Sequence, residues 1–314
     1  MTIRINRAIA LLAEGQAIYY DGPHSGHVLT FEQGRADAAT WADYINVGME
    51  HGCFDMTGLE AYLRGMAEGG ATRSGHRTPT VIVEAPVNGI DENHVRTSAW
   101  QFRQILGRGA HGILLCQAES AAAARAFVES CRYPHHLNGV DPSIPSPEAR
   151  LNGAVRPPST GPLLGIGTRG RGSESTAAPV WGLSGAEYMR RCDPWPLNPE
   201  GDLLLGVKLE SPEGIANADE ICAVPGLGFA EMGPGDLSLS LGSTEILRDP
   251  YPPVMRAARD KVLAACLRNG IAFLEGCSPA NIAARLDEGV RVIAGHDPET
   301  ARIGRAHQKR KMTV

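Results

Sequence analysis

Glu210 and Asp236 are the residues of this chain whose type and position most clearly suit chemistry. Glu210 closes the apolar run Leu203 to Leu209 and is followed by Ser211-Pro212; Asp236 follows the run Gly228 to Met232 and the turn Gly233-Pro234-Gly235. If the two runs are neighbouring parallel strands, both carboxylates stand at the carboxyl edge of one sheet, where α/β enzymes build their sites. Two carboxylates so close repel, and one takes up a proton near neutral pH unless a cation intervenes. A hard divalent ion, Mg²⁺, Mn²⁺ or Co²⁺, removes the conflict and keeps positions open for an oxygen-bearing substrate. The same residues also fit a local role, with Glu-Ser-Pro starting one helix and Asp236 capping the next.

The elements that must position them form a regular series. Strand patterns at Gln16–Tyr20, Tyr44–Met49, Thr80–Ala85, Gly112–Cys116, Leu203–Leu209, Gly228–Met232, Ile271–Leu274 and Val290–Ala294 alternate with helical patterns. The helical stretches include Met56–Ala67, Trp100–Arg108, Ser120–Cys131, Ala216–Cys222, Pro252–Asn269 and Pro279–Glu288. Eight strand units with helices between them predict an α/β fold of the (β/α)₈ TIM-barrel type. The length of 314 residues, 43% hydrophobic and 21% charged, allows this as one domain over residues 1–314.

Residues 131–200 break the series. They are rich in Pro and Gly, periodic only over Gly185–Arg191, and form a long insertion before the fifth strand, of the kind that is functional or disordered. Within them Gly165 to Ser173 has the glycines of a phosphate-cradling loop but not its Lys or its strand-to-helix setting. Residues 300–314 form a basic C-terminal tail, read as a surface or subunit-edge segment.

The stretch Gly206 to Gly242, GVKLESPEGIANADEICAVPGLGFAEMGPGDLSLSLG, resembles the core of the HpcH/HpaI family of metal-dependent class II pyruvate aldolases. The stretch Gly48 to Met56, GMEHGCFDM, resembles the family segment that carries the acid/base histidine. The resemblance implies the same barrel, with Glu210 and Asp236 as metal ligands and His51 as the catalytic acid/base. Glu50 would orient the His51 imidazole or hold a metal-bound water. Gly233, Pro234 and Gly235 would shape the substrate pocket. Arg169 and Arg171, in an Arg-Gly segment that in the family approaches the site and the subunit interface, would meet an anionic substrate or else lie in a solvated loop. The implied activity is carbon–carbon cleavage, by retro-aldol reaction or decarboxylation of a 2-oxo acid or aldol adduct through a metal-stabilised enolate. The implied assembly is a homo-oligomer, commonly a hexamer.

Two positions depart from the family pattern. The family carries Arg at the end of the third strand, within V-R-x-P, where this chain has Glu84 in Val83-Glu84-Ala85-Pro86. The family's Asp two residues before the Glu-His pair is Gly48 here. Reversing a charge where an enolate must be stabilised is not conservative. Glu84 is then a third carboxylate near the metal, a second base, or a partner for a cationic or hydroxyl-rich substrate. Two alternatives follow: a hydrolase or hydratase using Glu84 and His51 with the metal, and a non-catalytic binding protein with a degenerate site.

A net charge of −5 gives no basic footprint for nucleic acid. Seven scattered cysteines without a CxxC pair read as reduced thiols of a cytoplasmic protein. No segment is long and apolar enough for a membrane span, and Ala8–Ala13 is too short for a signal-peptide core. His135 and His136 sit in the long loop, and His24, His27, His76, His94, His111, His296 and His307 lack ligand spacing.

Overall fold

The computed structural model describes residues 4–155, 162–295 and 297–313; residues 156–161 of the insertion and His296 lie outside the described residues. Eight parallel strands close into a barrel: β1 Ile18–Asp21, β2 Tyr44–Gly48, β3 Thr80–Asn88, β4 Gly112–Cys116, β5 Leu203–Leu209, β6 Phe229–Met232, β7 Ala272–Gly276 and β8 Val290–Ala294. Each pairs with the next, and β8 pairs with β1 to complete the ring. All eight predicted strands are present, because a strand covered on both faces reads as a near-continuous apolar run. The (β/α)₈ barrel expected from the sequence is the observed fold.

Alternation along each strand sorts the side chains into two cores. Ile18, Tyr20, Tyr44, Ile82, Leu114, Leu204, Phe229, Leu274 and Val292 pack inside the barrel, with Ala8, Ile9 and Leu11 of the helix Arg7–Ala13 joining them. The outward residues pack with the surrounding helices in a second, larger core. Two residues beyond the inner apolar positions come Asn46, Glu84, Cys116 and Glu231, and Lys208, four residues beyond Leu204, joins them as the register partner of Glu231. By the same period-two logic these side chains face the barrel axis one layer higher, toward the carboxyl ends of the strands.

The chain's end returns to the amino-terminal rim. Asp43, wholly buried just before β2, faces Arg7, Arg305 and Arg310, and Arg310 Nη1 donates to its Oδ2 at 2.7 Å. The tail expected at a surface or subunit edge therefore forms the helix Pro298–His307 and a buried charge contact. A buried carboxylate needs paired cations, and three arginines supply them.

The insertion is also more ordered than its composition suggests. It holds the helices Pro147–Leu151, Glu174–Trp181 and Gly185–Arg191, and the pair Pro194–Trp195 adds to the edge of β5. Pro179 inside the second helix hid its periodicity. Trp181 Nε1 donates to the carbonyl of Gly109 at 2.9 Å and the Tyr188 hydroxyl to that of Leu106 at 2.8 Å, which fixes this region against the helix Trp100–Gly107 and the turn after it.

Candidate active site

A cavity of about 630 Å³ opens at the carboxyl ends of the strands. Its wall includes Glu210, Asp236, His51, Lys208, Glu231 and His24, together with Gly233, Pro234 and Gly235. Neither Glu210 nor Asp236 takes the local capping role considered for it. Ser211 accepts from the Gly214 N–H to start the helix Pro212–Ala216, and Asp236 sits in the first turn of the helix Pro234–Ser240, whose start at Gly233 has no side-chain cap. Both carboxylates are left to face the cavity.

Glu210 is 2% exposed, and its Oε1 accepts the backbone N–H of Gln117 at 2.9 Å. Gln117 follows β4 with φ of 47°, a left-handed conformation that costs a non-glycine residue energy and persists where the surroundings impose it. The other oxygen lies against Gly233, where a Cβ would come within 2.1 Å of it, so glycine is needed for this approach. Burial pushes the Glu210 carboxyl well above the usual range, with Lys208 opposing the shift and Glu50 adding to it.

Lys208 is the centre of the polar layer. Its Nζ lies 2.6 Å from Glu50 Oε2 and 3.5 Å from Glu84 Oε2. Burial works against the ammonium, but Cys116, Glu84, Glu231 and Glu210 more than offset it and hold the lysine charged. Glu84, 1% exposed, receives a hydrogen bond from Asn46 Nδ2 at 3.1 Å and lies 2.7 Å from His24 Nδ1. Burial raises its pKa, yet the His24 bond and the Lys208 charge outweigh this and leave it below the ordinary value. The bond to Glu84 in turn raises His24 above 6.5 against the effect of burial. Glu231, buried with its Oε2 unpartnered, is pushed up by burial despite Lys208 and His24.

His51 is half exposed, with Nε2 3.5 Å from Glu50 Oε2 and 3.7 Å from Asp236 Oδ2. Among the described residues two groups converge closely enough to hold a metal ion: Glu50 with His51 and Asp236, and Glu50 with Cys116 and Glu210. Glu50 is common to both. The Cys116 thiol is wholly buried and pushed up by burial, so it stays protonated and is a poor ligand for a hard ion. The carboxylates form the usable set.

Arg169 and Arg171 are not brought to this cavity. Arg169 is buried beside the barrel, 4.5 Å over the Tyr133 ring and donating to the Tyr188 hydroxyl at 2.9 Å, while Arg171 is exposed. No residue of 131–200 appears in the cavity wall among the described residues, so the insertion packs against the scaffold and leaves the site to other loops. The residues that sequence reasoning missed are Lys208, Glu231 and His24. Lys208 carried a signal, since it interrupts an apolar strand two residues before Glu210 and therefore shares its face. Glu231 pairs with it in register across β5 and β6. His24 sits in a loop and carried none.

The model of the HpcH/HpaI aldolase/citrate lyase family matches residues 86–294. The chain belongs to this family. Among curated relatives it is similar to the hydroxypyruvate/pyruvate aldolase of Pseudomonas aeruginosa, 30% identical over 161 residues, covering 51% of this chain and 45% of that one. The enzyme of the same name from Paraburkholderia phytofirmans is 25% identical over 255 residues, covering 80% and 77%. The chain spans about half the length of most curated relatives it matches. A crystal structure of an HpcH/HpaI aldolase/citrate lyase family protein from Burkholderia cenocepacia J2315 superposes with a TM-score of 0.64 at 21% identity, covering 96% of each chain. That likeness shows the shared barrel. Within this HpcH/HpaI barrel, the polar layer built on Glu84 and Lys208 is a property of the chain's own residues.

Proposed function

We propose that this chain is a metal-dependent carbon–carbon lyase acting on a 2-oxo acid or its aldol adduct. The observation that carries the reading is the charge imbalance of the cavity. Glu50, Glu84, Glu210 and Glu231 surround one lysine, with Asp236 beside them, and burial drives Glu210 and Glu231 toward protonation. This donor set of hard oxygens fits a divalent cation such as Mg²⁺, Mn²⁺ or Co²⁺, which relieves the excess negative charge. Glu210 and Asp236 would hold it, with Glu50 next to both. When bound, the ion supplies positive charge against the negative charge that develops on substrate oxygen during cleavage.

The chain's own groups do the rest. His51, held between Glu50 and Asp236, is placed to take up and return a proton at the reacting carbon. Gly233, Pro234 and Gly235 line the wall, and at Gly233 a side chain would displace Glu210. Arg248 on the rim offers a cation to the carboxylate of an oxo acid, a role the sequence reading had given to Arg169 and Arg171. Glu84 acts within the protein's own charge network, where Lys208 and His24 are its partners. The complete acidic set and the family of named aldolases favour the lyase over a hydratase or a degenerate binding protein.

The test is solvent deuterium exchange into the methyl group of pyruvate, followed by NMR with Mg²⁺, Mn²⁺ or Co²⁺ added. Exchange that requires the metal supports the reading, and its absence with all three ions rejects it. A homo-oligomer belongs to the same proposal. Leu239, Leu241 and Ile246, exposed close together in the chain, are apolar surface that assembly would cover, and sedimentation at micromolar concentration decides it. A cytoplasmic location is supported by seven cysteines that are all free thiols. No helix of the described residues is long and apolar enough to cross a membrane.

A further inference from the structure

We propose that His24, oriented by Glu84, is a second acid–base group of this cavity, which takes the proton of the substrate hydroxyl when the carbon–carbon bond breaks and returns it when the bond forms. The proposal rests on the lyase reading above and adds a residue and a division of labour to it.

The geometry is that of a carboxylate-held imidazole. His24 Nδ1 lies 2.7 Å from Glu84 Oε1, and Glu84 is itself fixed by Asn46 at 3.1 Å and by Lys208 at 3.5 Å. A carboxylate on one ring nitrogen sets the tautomer and orients the ring, leaving the other nitrogen to exchange protons. That other nitrogen, Nε2, is 3.1 Å from the Tyr20 hydroxyl. With Nδ1–H donating to Glu84, Nε2 carries a lone pair and accepts from Tyr20. His24 and Tyr20 both line the cavity, and the His24 side chain is 44% exposed, so a substrate hydroxyl can take the place of Tyr20 at this nitrogen.

The backbone around His24 is arranged for this contact. The carbonyl oxygen of His24 packs on Gly48, where a Cβ would come within 2.0 Å of it. Gly48 is the register partner of Glu84 on the neighbouring strand. The missing side chain at 48 therefore lets the loop after β1 descend to the level at which its imidazole meets Glu84. The charged and titratable groups that bear on His24 are Glu84 from β3, Glu231 from β6, Lys208 from β5 and Tyr20 from β1. The Glu84 bond and the carboxylates outweigh burial and Lys208, and favour proton uptake by His24.

Retro-aldol cleavage needs two proton transfers at different atoms. The hydroxyl loses its proton as its oxygen becomes the aldehyde carbonyl, and the electron pair of the broken bond passes to the oxo-acid fragment, whose carbon then gains a proton. His51 stands beside Asp236 and Glu50, at the candidate metal end. His24 approaches from a different loop with its own carboxylate. The two histidines match the two transfers, the hydroxyl proton going to His24 Nε2.

The experiment separates the transfers. Pyruvate methyl deuterium exchange requires only enolisation, whereas addition of pyruvate to glycolaldehyde also requires a proton for the new hydroxyl. With Mn²⁺ present, His24→Asn should keep exchange within about threefold of wild type and lose addition by on the order of 100-fold. Glu84→Gln should shift the pH profile of addition to lower pH, because His24 loses the bond that raises it. Addition by His24→Asn within about threefold of wild type, or exchange and addition falling together, would overturn the assignment of His24. A wild type that performs no exchange overturns the lyase reading and this proposal with it.

Discussion

Lys208 Nζ stands 2.6 Å from Glu50 Oε2, and Glu50 in turn lies 3.5 Å from the imidazole of His51. The lysine on β5 therefore governs the charge beside the candidate acid–base histidine on the loop after β2. Its second contact, 3.5 Å to Glu84, extends the same influence to His24. One ammonium thus stands behind both histidines proposed to transfer protons.

Replacing Lys208 with Met removes this charge and leaves buried carboxylates without their cation. Loss of one partner of a buried ion pair typically destabilises by about 3–5 kcal/mol. Urea denaturation of Lys208→Met at neutral pH should show a loss of this size. A change below about 1 kcal/mol would mean that the carboxylates do not depend on the lysine.

Glu210→Gln should separate stability from function. Burial holds the native Glu210 pKa above its unfolded value, so ionising it near neutral pH opposes folding, and stability falls as pH rises from the unfolded value toward the folded one. The metal-free variant should be at least as stable as wild type at pH above neutrality. It should also lose calorimetric heat of Mn²⁺ binding, as should Asp236→Asn. Unchanged metal affinity in both variants would remove these residues from the ligand set.

Glu84→Arg, the change that brings the chain back toward the family pattern, should fail here. It places a guanidinium beside Lys208, now 3.5 Å from the carboxylate, and removes the anchor of His24. Like charges at such a distance repel by about 4 kcal/mol at an effective dielectric of 20. The single variant should unfold at lower temperature than wild type, and Glu84→Arg with Lys208→Gln should recover much of the difference. Equal melting temperatures for the two variants would show that Lys208 is not the obstacle.

Acid should weaken the fold through His111. This residue is 1% exposed, accepts the Val81 N–H at Nδ1 and stacks on Trp181, with ring centroids 5.3 Å apart. Burial, reinforced by His76, lowers its pKa to about 3. The unfolded chain takes up this proton near pH 6.5 and the native state does not, so stability falls as pH drops through that window by up to about 1.4 kcal/mol per unit. His76, lowered to about 4 by burial and then by Arg7, adds to the effect over a narrower range. His111→Asn keeps an acceptor for Val81 and should flatten the slope of denaturation free energy between about pH 6 and 4.5. An unchanged slope assigns the acid sensitivity elsewhere.

The barrel was legible because parallel strands buried on both faces leave apolar runs, and eight such runs recur between helical patterns. The meeting of Glu210, Asp236 and His51 at one cavity was legible because each sits at or just beyond a strand end. What stayed hidden were relationships across strands. Gly48 and Glu84 read in the sequence as two separate departures from the family, yet they are register partners, and the space at one admits the histidine that the other binds. Lys208 lies 124 residues after Glu84 and 158 after Glu50, a separation no local pattern spans. Arg169 misled for the reverse reason. The family resemblance set it against an anionic substrate or in a solvated loop, while two tyrosines enclose its guanidinium.

The bond from Arg310 to Asp43 links residues 267 positions apart, and the pairing of β8 with β1 closes the barrel over a similar distance. Such closures come late in folding, since a long chain loop must be ordered before either contact forms. During synthesis, β1 and Asp43 emerge before the other seven strands and wait for the rest of the barrel. In that interval the strand edge of β1 is unpaired on one side and the carboxylate lacks its arginines. An exposed edge of this kind is where nascent barrels associate wrongly. Arg305 and Arg310 therefore act on a strand start made far earlier, and replacing both with Gln should lower the yield of soluble protein more than it disturbs the cavity at the other end.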